Sequence, residues 1–223
     1  MTTDEQLYSL ALTRIPGLGL TGAFRLVSSL GSAARVFEYR KELSQRVPGV
    51  SKKISAALDN PEAFRHAEQE LIFCEKNHIR CLTLNDKDYP SRLRECDDAP
   101  LALFYRGNAD LNALHVISMV GTRHATPYGQ DICTRFLTDL SILCPDALVV
   151  SGLAYGIDIH AHRAALQNQF KTVGVLAHGL DRIYPAEHRK TAVNMLKQGG
   201  LLTEFTSGTN PDRQNFVKRN RIV

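Results

Sequence analysis

The segment Ala147-Leu-Val-Val-Ser-Gly-Leu-Ala-Tyr-Gly-Ile-Asp158 decides the fold of the second half of this chain. It begins with a continuously apolar run, turns through two glycines, and leads into a helical pattern at residues 158–167. A continuously apolar strand is expected where both faces of a parallel sheet are covered, and strand–turn–helix is the order that begins a βαβ unit. The segment therefore predicts a parallel α/β sheet.

The same alternation extends on both sides of this segment. The β-rich apolar runs lie at residues 80–84, 101–105, 116–120, 147–150, 172–176 and 200–204. Helical patterns lie between the last four runs, at residues 128–143, 158–167 and 187–197. Elements of these lengths in this order predict a Rossmann-like three-layer parallel sheet over residues 79–223.

Residues 1–78 show helical patterns throughout and predict a small all-α domain. Ser32 and Ser51 are expected N-caps, and Asn60-Pro61 opens a helix that runs to about residue 77. Two segments resemble each other, Ile15-Pro-Gly-Leu-Gly19 and Val47-Pro-Gly-Val-Ser51, in the manner of a paired helix-hairpin-helix (SAM-like) module. Such glycine turns either aim N–H groups at the phosphates of a DNA duplex or serve as compact helix connections with a packing or partner role.

Composition and charge restrict the class of protein. The length of 223 residues favours two domains, and 43% hydrophobic residues are ordinary for a globular protein, whereas the net charge of +4 alone decides little. Five cysteines without a C-x-x-C pair argue against a disulfide framework or a zinc site. The N-terminus lacks a signal-peptide pattern, and no stretch approaches the roughly 18 apolar residues of a membrane span. We expect a cytoplasmic protein with no membrane association.

A cluster of cations lies near the end of the sequence. Residues 205–223 contain Arg213, Lys218, Arg219 and Arg221 against one acid, Asp212. Such a cluster is either a solvated face or a phosphate-binding surface.

Four glycine-containing or basic segments follow predicted strands, where ligands bind in doubly wound sheets. They span residues 120–129, 151–158, 177–185 and 203–223. Their free N–H groups suit phosphate. The sequence has no P-loop motif G-x-x-x-x-G-K-[ST], and G-x-G-x-x-G does not follow the first strand of the parallel run. These loops predict an edge for a polyanion rather than a mononucleotide.

Catalytic and metal sites find little support in the sequence. His160 and His162 form an H-x-H pair, but on a helix side chains two residues apart diverge by about 200°, so a structural role is favoured over a metal site. Ser151 and His178 lack the G-x-S-x-G context of a catalytic serine. We expect no cofactor, no bound metal and no catalytic residue.

With these residues in view, the chain resembles the DprA/Smf family of bacterial DNA-processing proteins over residues 80–223. The matching motifs are Tyr89-Pro-x-x-Leu93, Gly121-Thr-Arg-x-x-Thr-x-Tyr-Gly129, Ser151-Gly-x-Ala-x-Gly-Ile-Asp158 with Ala161-His162, Tyr184-Pro185 and Asn215-Phe-x-x-Arg-Asn-Arg-Ile222. The resemblance implies that the chain binds and protects incoming single-stranded DNA during natural transformation and helps load the RecA recombinase. It also implies a homodimer and no enzymatic turnover.

The resemblance also implies a set of DNA-binding residues. Arg123 matches the arginine of the family's DNA pocket, Arg213 stands where a relative has a phosphate-contacting cation, and Phe216 stands where an aromatic side chain faces a base. Phe216 has the alternative role of a core anchor, and Arg219 and Arg221 the alternative of ion pairs inside the fold. The full candidate set is Gly121, Thr122, Arg123, Ser151, Gly152, Arg213, Phe216, Lys218, Arg219, Asn220 and Arg221.

The sequence departs from the family pattern in two motifs and at its end. Gly121-Thr122 stands where a serine commonly precedes the arginine, and Val217 replaces a frequent proline. The sequence stops right after Arg-Asn-Arg-Ile, so we expect a fragment or a shortened member. The alternatives are a nucleotide-binding or nucleotide-cleaving Rossmann-like enzyme with Glu204 or Asp181 as its acid, and an interaction module whose helical half carries the function.

Overall fold

The structure, a computed structural model, describes residues 4–223 and divides into two compact units between Leu103 and Phe104. In the first unit, residues 4–103 as described form seven helices, one complete strand and the start of a second strand. The complete elements are α1 (Asp4–Thr13), α2 (Gly19–Leu30), α3 (Ala33–Glu38), α4 (Leu43–Arg46), α5 (Lys52–Ala57), α6 (Pro61–Lys76), β1 (Arg80–Thr83) and α7 (Ser91–Arg94). The predicted boundary near residue 79 stays a prediction.

The predicted helix starts of the first unit are confirmed by their capping bonds. The Ser32 and Ser51 hydroxyls accept hydrogen bonds from the backbone N–H groups three residues later, at 3.2 and 3.3 Å. The Asn60 side chain accepts from the N–H of Glu62 at 3.0 Å, and Pro61 occupies the first turn of α6. Each cap satisfies an N–H that the helix itself leaves without a partner.

The two Pro-Gly segments are turns between helices. Gly17, between α1 and α2, and Gly19, the first residue of α2, have φ of +80° and +61°, and Gly49, between α4 and α5, has +84°. The Arg25 guanidinium donates to the Pro48 carbonyl at 2.9 Å and so ties α2 to the second turn. The helix-hairpin-helix assignment and its role stay predictions.

The second unit carries the α/β alternation. Its elements are the greater part of β2 (Ala102–Gly107), β3 (Val116–Ser118), α8 (Pro127–Leu143), β4 (Leu148–Ser151), α9 (Ile157–Gln167), β5 (Lys171–Val175), a short 3-10 helix (Ala186–His188), α10 (Arg189–Lys197), β6 (Gly199–Thr203) and α11 (Arg213–Asn220). Every strand and helix predicted from residue 80 onward is present within a few residues. The α/β fold class is confirmed.

In the second unit the strand order is β2-β6-β5-β4-β3. Strands β3 to β6 are parallel neighbours, as predicted, whereas β2 runs antiparallel to β6 with Phe104 opposite Thr203. The three helical crossovers advance in one direction, and the right-handed rule therefore places α8, α9 and α10 on one face. Contacts of α9 with both α8 and α10 agree with this placement.

Apolar side chains of this face form the core of the second unit. Leu137 of α8 packs with Val149 of β4 and with Phe170, which precedes β5, all with no exposed surface. A second cluster joins Leu153 and Met195 to Leu201 of β6. This packing holds the helices against the sheet and so fixes the edge at which the carboxyl ends of the parallel strands lie.

A buried histidine connects α9 to two strands. The Nδ1 atom of His162 lies 2.7 Å from the Thr172 hydroxyl, which donates to the Val149 carbonyl at 2.9 Å. Because that hydroxyl has one proton, the Nδ1–H of a neutral His162 must be the donor to Thr172. His162 is therefore part of the core. Among residues 4–223 the structure has no group of three or more side chains that could hold a metal ion, and no described helix is long and apolar enough to cross a membrane.

Replacing Thr172 tests how much the hydrogen bond from His162 contributes to stability. We expect Thr172→Val to lower the free energy of unfolding by about 1–3 kcal/mol, because the buried His162 N–H loses its acceptor. Chemical denaturation measures the change. The matched control is Thr134→Val on the exposed side of α8, where a change within about 0.5 kcal/mol is expected; equal losses for both variants would contradict the assignment.

His162 should also make stability depend on pH. Burial is the main cause that lowers its pKa from 6.5 to about 3, so between these values the unfolded chain binds a proton that the folded chain does not. Stability therefore falls as the pH is lowered through this window. His162→Asn keeps a neutral N–H donor, and from pH 7 to about 4.5 it should lose about 2–3 kcal/mol less stability than the native chain. Identical pH profiles of unfolding would refute this.

Candidate nucleic-acid interface

Four loops leave the carboxyl ends of the parallel strands. They are the first loop, residues 119–126, the second, 152–156, the third, 176–185, and the fourth, 204–212. Because β3 to β6 are adjacent and parallel, all four emerge at one side of the sheet, which we call the carboxyl edge.

The first and second loops are packed directly on each other. The N–H of Ile157, the first residue of α9 after the second loop, donates to the Thr122 carbonyl at 3.1 Å. Gly156 has φ of +77°, and a Cβ there would collide with the backbone of Thr122 and Arg123. Only glycine allows this approach, so the second loop fixes the position of Arg123.

The third and fourth loops are joined by polar contacts. The Gly208 N–H donates to the Asp181 carboxylate at 3.1 Å, and Arg182 donates to the Asn210 side chain at 2.5 Å. The Gly179 N–H donates to the Thr209 carbonyl at 3.3 Å. Asp181 is one of the two acids considered for the alternative function as an enzyme, and it pairs with Arg182 at 2.9 Å.

A single buried arginine attaches α11 to this edge. Arg219 is 3% exposed and donates to the carbonyls of Gly152, at 2.6 Å, and Val175. Its guanidinium lies 4.0 Å from the Asp158 carboxylate and also donates to Asn220 at 3.1 Å. A Cβ on Gly152 would occupy the position of that guanidinium. Arg219 thus lies inside the fold.

The electrostatics of the Arg219 site follow from its burial. Burial raises the pKa of Asp158, while the charge of Arg219 and N–H donors from Ala154 and Gly152 act in the opposite direction. The two charges offset part of each other's desolvation, which explains why an arginine is tolerated here.

A second ion pair secures the end of α11. Arg221 pairs with Glu204 at the start of the fourth loop, and their side chains are 20% and 13% exposed. Glu204 is the other acid considered for the alternative function as an enzyme, and in the structure it is the ion-pair partner of Arg221. The ion-pair alternative for Arg219 and Arg221 is therefore the one that the geometry supports.

The outer surface of the edge carries exposed cations around aromatic rings. Arg123 is exposed, and its guanidinium carbon lies 5.0 Å from the centroid of the half-buried Phe216 ring. Tyr184 is 43% exposed as a residue, and its ring centroid lies 6.0 Å from that of Phe216 at an angle of 63°. Arg213 precedes Phe216 by three residues on α11, so both lie on one face of that helix.

The candidate residues separate into a surface set and a supporting set. The exposed ones are Gly121, Thr122, Arg123, Arg213, Lys218 and Asn220. Ser151, Gly152 and Arg219 are buried, and the Ser151 hydroxyl donates to the Met119 carbonyl at 2.6 Å. These three hold loops and helix in place beneath the surface. Sequence reasoning omitted Tyr184 from the site, although the Tyr184-Pro185 motif was a signal that the position matters.

These features define a Rossmann-like α/β protein whose carboxyl edge is basic and aromatic. The chain belongs to the family of DNA recombination-mediator protein A, whose model matches residues 80–223.

Known members are similar in sequence and structure. Protein Smf of Synechocystis sp. is 31% identical over all of this chain and 56% of its own length, and the DNA processing protein DprA of Streptococcus pneumoniae is 38% identical over 85% of this chain and 67% of its own length. The X-ray structure of the pneumococcal protein matches with a TM-score of 0.69 at 28% identity, over all of this chain and 75% of that one. The chain spans about half the length of several curated relatives.

Filling the space at Gly152 should displace Arg219. We expect Gly152→Ala to reduce stability by about 2–4 kcal/mol, because the new methyl group competes with a buried guanidinium. Gly129→Ala on α8 is the matched control, since its Cβ meets neighbours only at 3.5 Å or more and alanine favours a helix. Thermal unfolding distinguishes them, and equal stability of the two variants would contradict the packing described.

Proposed function

We propose that this chain binds single-stranded DNA along its carboxyl edge and catalyses no reaction. The observation that carries the proposal is the exposed Arg123 over the Phe216 ring, which in turn contacts the Tyr184 ring. Cations neutralise phosphates and release counterions, while aromatic rings accept unpaired bases with little sequence preference. A duplex keeps its bases stacked and offers none to such rings.

The arrangement of the loops supports a polyanion as the ligand. Exposed cations lie both on the first loop, at Arg123, and on α11, at Arg213 and Lys218. Gly121 and Thr122, which precede Arg123 in the first loop, are exposed as well. The two acids considered for catalysis, Glu204 and Asp181, have cation partners, so no observation favours the enzyme reading.

A solved relative gives independent support. A structure of DNA processing protein A from Helicobacter pylori, described as showing that protein's single-stranded DNA binding mode, matches 65% of this chain with a TM-score of 0.57 at 28% identity. From family membership we further propose that residues 79–223 are the DNA-binding domain, that the protein acts in the cytoplasm as a homodimer, and that it protects incoming DNA and helps load RecA during natural transformation.

Binding of a fluorescent oligonucleotide of about 20 thymidines, compared with the matching duplex over a range of salt, tests the proposal. We expect a preference for the single strand and a steep loss of affinity with salt. Arg123→Ala should weaken binding and lower the salt slope by about one, because one phosphate contact is lost. Phe216→Ala should weaken binding about 5- to 100-fold and leave the slope unchanged.

Arg135→Ala is the matched control for loss of charge. Arg135 lies on α8 with its side chain 70% exposed, so its removal lowers the net charge equally without touching the carboxyl edge. Its affinity should stay close to that of the native chain. A native chain that prefers the duplex, or Arg123 and Phe216 variants with unchanged affinity, would remove the proposed site.

A further inference from the structure

We infer that the first unit carries a second DNA-binding surface, which contacts the backbone phosphates of a duplex through two matching turns. The turns are Arg14-Ile-Pro-Gly-Leu18 and Arg46-Val-Pro-Gly-Val50, which we call the twin turns. They belong to a different unit from the carboxyl edge and have a different ligand. The inference therefore goes beyond the proposed binding of single-stranded DNA and does not depend on it.

The twin turns have the same conformation. In each, the N–H of the last residue donates to the carbonyl three positions earlier, at 3.2 Å in the first turn and 3.4 Å in the second. Gly17 and Gly49 have φ of +80° and +84°, and a proline precedes each glycine, which is typical of a type II turn. Ile15 and Val47, which precede the prolines, are buried, whereas both Pro-Gly pairs are exposed. The first unit thus presents one exposed structure twice.

The two turns also pack in a reciprocal way. Arg25 of α2, the helix after the first turn, donates to the Pro48 carbonyl of the second turn at 2.9 Å. Ile54 of α5, the helix after the second turn, lies against the first turn, since a Cβ on Gly17 would be 3.8 Å from its side chain. Each turn therefore contacts the helix that follows the other turn, which is the relation that a local two-fold axis produces. The two backbones of a duplex are related by two-fold axes as well, so the surface offers one turn to each strand.

The charges of the first unit are segregated towards these turns. Residues 14–53 contain eight arginines and lysines against two acids, a net charge of +6, whereas residues 54–103 contain six against ten, a net charge of −4. Seven of the eight cations are exposed, namely Arg14, Arg25, Arg35, Lys41, Arg46, Lys52 and Lys53. Two of them begin the twin turns, and the two lysines begin the helix after the second turn. Because such a cluster repels itself, a polyanion is the ligand that its charge favours.

The aromatic residues of this segment favour a duplex over a single strand. Phe37 is buried, Phe24 and Tyr39 are half-buried, and the Arg46 guanidinium carbon lies 4.0 Å from the centroid of the Tyr39 ring. Residues 14–53 therefore present no exposed ring on which an unpaired base could stack, and stacking is what single-strand binding uses. Cations alone bind phosphates, which a duplex offers about every 1.7 Å along its axis.

The first test removes two cations beside the second turn. A fluorescent duplex of about 20 base pairs is titrated with the full chain over a range of salt. We expect salt-sensitive binding weaker than that of the single strand, with a Kd of about 1–100 µM. Lys52→Ala combined with Lys53→Ala should weaken duplex binding about 5- to 50-fold and lower the salt slope by about two, because two phosphate contacts are lost. Its affinity for the single strand should stay unchanged.

The matched control is Arg65→Ala combined with Lys76→Ala on α6. Both side chains are exposed, and their removal lowers the net charge of the first unit equally. Duplex affinity should then stay within about twofold of the native value, because charges beyond a Debye length are screened. Thermal unfolding of each variant checks that the fold is intact.

The second test compares the twin turns with each other. Arg14→Ala and Arg46→Ala change equivalent positions, so each should weaken duplex binding by a similar factor and lower the salt slope by about one. A loss confined to one of the two variants would overturn the inference that both turns contact the duplex.

Arg123→Ala separates this surface from the carboxyl edge, because it weakens the proposed single-strand site and should leave duplex affinity unchanged. If the native chain fails to bind the duplex, the inference is wrong and single-strand binding stands. If Arg123→Ala loses duplex binding while the lysine variant retains it, or if the lysine variant weakens duplex and single strand equally, the assignment to the twin turns is overturned. If the turns bind the duplex but the chain fails to bind a single strand, the proposed function is wrong and this inference stands.

Discussion

The carboxyl edge depends on one buried charge, the guanidinium of Arg219. Removing a charge from water costs several kcal/mol unless polar partners surround it, and Arg219 finds the carbonyls of Gly152 and Val175 and the carboxylate of Asp158. Those partners come from the ends of β4 and β5 and from α9. The arginine therefore fixes the position of α11 against three separate elements, and Phe216 lies one turn earlier on the same helix.

Residues that are alike in sequence have different roles in this arrangement. Arg219 and Arg221 belong to one Arg-Asn-Arg motif, and both are engaged inside the fold, whereas Arg123 and Arg213 are exposed. The glycines differ in exposure too. Neighbouring groups occupy the space of a side chain at Gly152, Gly156 and Gly121, but Gly121 is in addition exposed to solvent. Neighbouring arginines and glycines are thus divided between the buried support of the edge and its exposed surface.

Local sequence patterns were enough to predict most strands and helices of the fold. Runs such as residues 147–150 and 172–176 were short, apolar and separated by helical patterns, so strands, helices and the common edge of their loops followed from geometry. The caps at Ser32, Ser51 and Asn60 were equally local. The antiparallel direction of β2 was not predicted, because its partner β6 lies far along the chain and pairing direction leaves no local signal.

The roles of the site residues could be predicted only in part. A basic cluster has the same sequence whether its arginines face water or buried carbonyls, and the partners of Arg219 lie 44 and 67 positions away. The burial of Ser151 and the exposure of Tyr184 were hidden for the same reason, since both depend on how loops from different strands meet. Long-range packing decided what composition and spacing left open.

The origin of the carboxyl edge in four separate strands has a thermodynamic consequence. No single hairpin or βα unit contains the edge, so it exists only while β3 to β6 are assembled. A ligand held there has no equivalent site on the unfolded chain, and mass action would add about 2.7 kcal/mol to the native state when the ligand is at a hundred times its dissociation constant. A nucleic-acid strand bound there would thereby shift the folding equilibrium towards the folded domain.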